Sequence, residues 1–475
     1  MQGTLLKIFS TINNYLSSYI LLVALIGVGL FFTFKTRFVQ VRCFGEGMKM
    51  LFGNANLNGK KHKSGMSSFQ AFTAAVAAQV GTGNIVGASS AILVGGPGAI
   101  FWMWVIAFFG MATIYAEAVL AQKTRIKNDD GTISGGPVYY IKTAFKGKFG
   151  KFLAGFFSIS AIMALGFVGS MVQSNSIGEA MHNAFNIPTW VVGIALVIIA
   201  GLVFIGGASR LASVTEKLVP IMAIVYILGA VVVICSQITH LPEAVGMIFR
   251  YAFDPRAVIG GSFGAALTIA LTQGAKRGLF SNEAGMGSTP HAHAQANVKR
   301  AHEQGVIAIV GIFFDTFVVL TITALVIIVT LYAGGGPLSV QGAGANAEPT
   351  TLVANAIGTA FGAGDGAMKF GSIFIAICLL FFAFSTIISW NLFGRINFTY
   401  IFGNSKKTNI IYSLIAVGFV FLGTMFKNGL VWELTDFFNN LMVRPNVIAL
   451  LALSAIVTNH LKERDDGLLK KNAIK

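Results

Sequence analysis

Charge is scarce in this chain. Asp, Glu, Lys and Arg make up 11% of its 475 residues, where a soluble globular chain carries about 25%. That excludes an ordinary soluble domain, and no stretch reads as one. Cysteine is nearly missing too. Cys43, Cys235 and Cys378 are odd in number and far apart, which suggests neither a disulfide framework nor a metal site. No G-x-x-x-x-G-K-[ST] run occurs, so ATP-driven pumping has no support. No His/Cys/Asp cluster stands at ligand spacing, which argues against a membrane enzyme. What fills the chain is 55% hydrophobic residues, with 41 Phe and 55 Gly. Its apolar runs recur at about 20 residues, the length of a helix that crosses a bilayer, and not of a barrel strand.

The formal charge of +16 raises nucleic acid as a partner, but its distribution points elsewhere. Seven Lys/Arg fall between 34 and 66, seven between 121 and 151, five after 460, and none in 334–348. Basic loops alternating with non-basic ones are the signature of membrane topology. No nucleic acid is therefore expected, and the lipid bilayer is the partner. The spacing predicts eleven spans at about 17–34, 67–94, 98–121, 152–180, 188–207, 212–237, 257–297 (interrupted), 303–333, 368–402, 409–427 and 430–460 (interrupted). An odd number places the N-terminus outside and the C-terminus in the cytoplasm, with the basic loops 34–66, 121–151, 208–217, 298–302 and 403–408. Lys7 alone precedes the first apolar run, with no small-residue cleavage pattern, which reads as a retained helix and not a signal peptide. Residues 241–256 and 349–362 read as interfacial helices, the second opened by Pro349, a residue suited to a first helical turn.

The expected fold is thus all-α and polytopic, with about eleven transmembrane helices. After the first span ten remain, and a 5+5 arrangement of inverted halves is common among transporters. The corresponding division is 1–66 (extra helix and cytoplasmic loop), 67–237 and 238–460 (the two five-helix repeats), and 461–475 (cytoplasmic tail).

The first span of each half carries an interruption: "QVGTGN" at 79–84 and "TQGAKRG" at 272–278. Glycine costs a helix about 1 kcal/mol relative to alanine. Lipid offers no water to the backbone groups that a break exposes. Either Gly81, Gly83 and Gly87 form a small-residue packing face, or the helix is broken on purpose. A break leaves free N–H groups near Asn84, with the positive end of a helix dipole, suited to a carboxylate. It also leaves free carbonyls near Ala77 and Val80, suited to a small cation. Paired interruptions are the best sequence pointer to a substrate site. Lys276, Arg277 and Glu283 follow the second one, and charges in an apolar span line a cavity or pair with each other. Arg277–Glu283 is the expected pair, structural or part of an inner gate. His291 and His293 are two residues apart, so they do not share a helix face and read as polar residues at a cytoplasmic helix end. Asp315 lies mid-span, where an isolated carboxylate is costly and a functional candidate: part of a second cation site, a proton carrier, or structural. Glu117, near a cytoplasmic end, is expected to pair with a loop Lys or Arg.

Three stretches carry a resemblance: residues 81–117, "SGGPVYYI" at 134–141 and "RGLFSNEAGMGSTPHAHA" at 277–294. Together they resemble the alanine/glycine:cation symporter family of prokaryotes, within the amino acid–polyamine–organocation group, over residues 15–460. Val80–Asn84 is also similar to the broken-helix motif of the sodium-coupled neurotransmitter-type transporters. The resemblance implies a 5+5 inverted-repeat core and a broken first helix. Thr82, Gly83 and Asn84 would hold the substrate carboxylate, with Gly81 also among the substrate-binding residues. Thr272, Gln273 and Gly274 would face its amino group and small side chain, and Phe167, Gln173 and Trp390 would complete the pocket, the ring of Trp390 limiting its volume. Ser385 and Thr386, with the carbonyls of Ala77, Val80 and Phe382, fit the sodium site of this fold.

The resemblance therefore implies a secondary symporter in the inner membrane of a prokaryote, coupling a small neutral amino acid such as alanine, glycine or serine to Na⁺, or to H⁺. No cofactor is implied beyond the co-transported ion, no chemistry is catalysed, and a monomer suffices for transport. The alternatives are a same-fold symporter for another amino acid such as glutamine, or a cation channel, for which "QVGTGN" is one loop where a filter needs several equivalent ones.

Overall fold

The structure is a computed structural model describing residues 2–16, 21–53, 65–129, 131–256, 260, 262–340, 344 and 347–473, with side chains to 466. Helices dominate because, in lipid, only hydrogen bonds within a segment satisfy every backbone group of an isolated span. Among the described residues six helices are long and apolar enough to cross a membrane, and two bent pairs qualify as units.

α1 (Gln2–Tyr15) lies outside every expected span. It packs on the last long helix, where the Asn13 Nδ2 donates to the Glu433 carbonyl at 2.7 Å and to its Oε2 at 2.6 Å. α2 (Leu22–Lys35) falls within the expected first span, of which residues 17–20 lie outside the described ones. α3 (Phe44–Gly53) comes next. The second expected span is split into α4 (Ser68–Gln79) and α5 (Gly83–Gly95), bent by 45°. Ser67 and Gln70 form a reciprocal cap at the start of α4, each side chain meeting the other's backbone N–H at 3.0 Å, and satisfying donors that lipid cannot.

α6 (Ala99–Thr124) leads into a two-stranded hairpin (126–127 with 133–134) and the short α7 (Pro137–Ala144), whose Tyr140 is fully buried. α8 (Gly147–Phe185), α9 (Thr189–Ile205) and α10 (Gly207–Ser236) follow. Helices stand at both stretches expected to be interfacial, α11 (Leu241–Phe253) and α15 (Pro349–Ala360). Between them stand α12 (Phe263–Asn282), the short α13 (Pro290–Ala294) and α14 (Ala301–Leu331). α16 (Asp365–Phe402), α17 (Lys406–Gly423), α18 (Asn428–Ala452) and α19 (Ser454–Ala473) end the described chain, with 55° between the last two.

The second interruption is not where the sequence places it. α12 runs unbroken through 272–278 and ends at Asn282; Glu283 takes a left-handed φ of 59°. The chain then turns through Gly285 and Gly287, at φ 81° and 83°, conformations that glycine adopts without a Cβ penalty. The core sits where α8 packs along α16 and where α6 packs along α12 and α14.

Candidate functional site

α4 stops because Val80 leaves helical geometry at ψ 87°. The exposed amides find side chains: Gly81 N–H donates to Asn84 Oδ1 at 3.1 Å, and Thr82 N–H to Gln173 Oε1 at 3.2 Å. The Thr82 hydroxyl is buried without a hydrogen-bond partner among the described residues. A Cβ on Gly81 would collide with Thr386 Oγ1 and stand 3.1 Å from Gln173 Oε1; one on Gly83 would lie 3.0 Å from Ser281 Cα. Three elements, α8, α12 and α16, approach the break closely, and its glycines make room for them.

Opposite the end of α4, two adjacent hydroxyls of α16 meet backbone oxygens. Thr386 Oγ1 donates to Ala77 O at 2.8 Å and reaches Phe382 O at 3.1 Å; Ser385 Oγ donates to Phe382 O at 2.8 Å and reaches Ala77 O at 3.4 Å. Four neutral oxygens cluster here, all on fully buried residues. Hard cations prefer such a donor set.

Asp315 is completely buried in a π-helical stretch of α14, 313–320, a geometry frequent at functional sites. Its Oδ1 accepts from Asn84 Nδ2 at 2.7 Å, and Ser281 and Thr316 donate to its carboxylate at 3.0 and 2.8 Å. Every one of these partners is neutral. Asn84 therefore ties the first break to Asp315, and Ser281 ties Asp315 to α12.

The second break is held by two more buried carboxylates. Glu117 accepts from Gly285 N–H at 3.1 Å and from Asn446 Nδ2 at 2.6 Å. Among the described residues it pairs with no loop Lys or Arg, contrary to expectation, because it points inward to the turn after α12. Glu283 accepts from Trp390 Nε1 at 2.6 Å and from the Ser288 hydroxyl. Tyr140 of α7 donates to Asn446, so the "SGGPVYYI" segment reaches the second break. His291 lies between Phe157 and Phe393, with Asn397 Nδ2 at 2.8 Å from its Nε2.

Several predicted residues fall elsewhere. Arg277 does not pair with Glu283; it stacks on Trp432 and lies 3.4 Å from Asp436. Phe167 stacks on Phe419 at 4.8 Å and on Tyr412 at 5.7 Å, packed between α8 and α17. Gly274 faces Ala99 and Trp102 of α6, and Gln273 lies beside Gly95. Thr272 stands well before the end of α12 at Asn282, about 15 Å back along the helix axis. The residues that α12 brings to the first break are instead Phe280, Ser281 and Asn282, the last through a 2.8 Å bond from Gln79 Nε2 to its carbonyl. The glycine pair in "SNEAGMG" is the sequence signal that points to them. Trp390 is fully buried, in contact with Phe280 and wedged against Gly169.

A split first span, a second split after α12, and buried polar groups where the pieces meet define a broken-helix membrane transporter of the 5+5 inverted-repeat type. MhsT, solved in complex with L-phenylalanine, shares the fold: TM-score 0.60 at 15% identity, covering 85% of this chain and 93% of that one. Residues 2–472 match the sodium:alanine symporter family, and this chain belongs to it. It is 36% identical to the sodium/alanine symporter AgcS of Methanococcus maripaludis over 99% of both chains. It is 38% identical to a transporter of Haemophilus influenzae over 97% of this chain and 96% of the other. The family consists of transporters, not enzymes.

Proposed function

We propose that this chain imports a small neutral amino acid, alanine with glycine or serine, together with Na⁺, by alternating access across a prokaryotic inner membrane. The observation that carries this reading is the oxygen cluster of Thr386, Ser385, Ala77 and Phe382 beside an amide-bearing helix break. A carboxylate at the break takes the N–H groups of Gly81 and Thr82 from Asn84 and Gln173, and gains the unpartnered Thr82 hydroxyl. The Trp390 ring cannot retreat, because Gly169 backs it, and that favours a small side chain. Asp315, a buried carboxylate held by Asn84, Ser281 and Thr316, offers a second cation position, since an uncompensated buried charge is expensive. Reciprocal coupling results: an ion that stabilises the substrate-binding conformation is itself bound tighter when substrate is present. The membrane potential adds about 2.3 kcal/mol per charge per 100 mV. The N-terminus lies outside and the C-terminus inside, and one subunit holds both breaks.

Counterflow of labelled alanine in proteoliposomes, with and without Na⁺, tests this. The expected result is saturable exchange that requires Na⁺. Conductance without counterflow indicates the channel, and competition by glutamine but not glycine indicates the glutamine carrier. Exchange driven by H⁺ alone removes the Na⁺ assignment.

A further inference from the structure

Arg395 has no partner of opposite charge. It sits two turns before the end of α16, half-buried, and among the described residues no carboxylate lies within ion-pair distance of it and no side chain or carbonyl accepts from it. A desolvated guanidinium is costly unless an anion compensates it. The groove into which it faces shows what that anion is. This cleft of about 670 Å³ runs between α9 and α17. Arg395, Lys406 and the first turn of α17, capped by Ser405, form one end, while Ile205, Ile410 and Leu414 form the walls. Those walls are outward-facing: Ile205 is 81% exposed and Leu414 66%. In a protein that spans a membrane such surface meets acyl chains.

We propose that this groove binds one anionic phospholipid of the surrounding leaflet. Its phosphate takes the Arg395 fork, for which the planar guanidinium is suited. Lys406 and the N–H groups at the start of α17 supply further positive potential, and an acyl chain lies along Ile410 and Leu414. Among the described residues no acidic side chain lines the groove, so the cationic end of a zwitterionic headgroup finds no counter-charge. Basic pockets between membrane helices recognise anionic headgroups in this way. The lipid bridges α9, α16 and α17 at the end of the helix whose middle carries Ser385 and Thr386.

Native mass spectrometry and thermal unfolding of the purified full chain test the proposal, with phosphatidylglycerol, phosphatidylcholine or inorganic phosphate added. We expect phosphatidylglycerol to bind and stabilise with about tenfold preference over phosphatidylcholine, and inorganic phosphate to have no comparable effect. Arg395→Gln should abolish the preference, and Arg210→Gln, outside the groove lining, should keep it. Lys406→Gln, at the exposed mouth, should weaken it several-fold, so a poorly folding Arg395→Gln still leaves a readout. Equal binding of both lipids, full stabilisation by free phosphate, or a preference untouched in Arg395→Gln and Lys406→Gln overturns the proposal.

Discussion

The guanidinium of Arg277 lies 3.4 Å from Asp436 Oδ2 and 4.5 Å from the Trp432 ring centroid, while Lys276 Nζ approaches the same carboxylate oxygen at 2.7 Å. Glu433, which also holds Asn13 of α1, is 3.7 Å from Lys276. Two cations of α12 thus face two anions of α18 across a largely buried seam. Removing one member of such a cluster leaves a buried charge uncompensated, at about 3–5 kcal/mol. Asp436→Asn is expected to lower the thermal midpoint and uptake together. Adding Arg277→Gln should restore part of both. Glu283→Gln should add to Arg277→Gln without coupling; a coupling above about 1 kcal/mol in the double-mutant cycle refutes the separation of the two groups.

The hydroxyls of Ser385 and Thr386 share one oxygen cluster. Thr386→Ala and Ser385→Ala should each raise the Na⁺ concentration for half-maximal alanine uptake by about tenfold, the loss of about 1.4 kcal/mol, with membrane expression retained. Wild-type Na⁺ dependence in both removes the cluster from the transport cycle.

Gly81 and Gly87 flank Asn84 at equal distances along the chain, yet their surroundings differ. A methyl on Gly81 collides with Thr386, whereas one on Gly87 meets nothing closer than 3.9 Å. Gly81→Ala should abolish uptake. Gly87→Ala should preserve uptake and raise stability by up to about 1 kcal/mol through helix propensity. Equal effects would favour a plain small-residue packing face.

Asp315 holds Asn84, Ser281 and Thr316. Asp315→Asn keeps most of the shape and removes the charge, so it should eliminate cation-stimulated uptake while counterflow at saturating alanine falls less. If the ratio of counterflow with and without Na⁺ is unchanged, Asp315 is structural.

Away from the spans, Glu46 of α3 is bonded to Arg464 of α19 at 2.8 Å and lies 3.3 Å from His302 Nε2. The His302 side chain first, then Arg464, hold its carboxyl down to about 2, against burial, which raises it. Because the folded value lies below the ordinary 4.5, this contact contributes fully above about pH 4.5 and fades as pH falls toward 2. Glu46→Gln should lower the thermal midpoint at pH 7, and the gap from wild type should close as pH is lowered through that window. A gap independent of pH contradicts an ionised Glu46.

Composition and local spacing determined the class of this protein. Long apolar runs with few charges have no stable state but membrane-crossing helices, and the 79–84 interruption is legible because glycines stand where a helix in lipid gains nothing from them. The adjacent hydroxyls at 385 and 386 are legible for a similar reason, as a polar pair inside an apolar run. Tertiary structure decided what those signals could not. α12 continues through Gln273 and Gly274 because α6 accepts the glycine face, and its end is fixed by Glu117, whose contact with Gly285 spans 168 residues of sequence. Arg277 finds Asp436 and not the nearer Glu283, because helix direction aims the two side chains at different neighbours. Phe167 is one of 41 Phe, and only packing tells a pocket wall from a stack with Phe419. A buried helix is apolar all round, so sequence says that each face meets something, and only the assembled bundle says what.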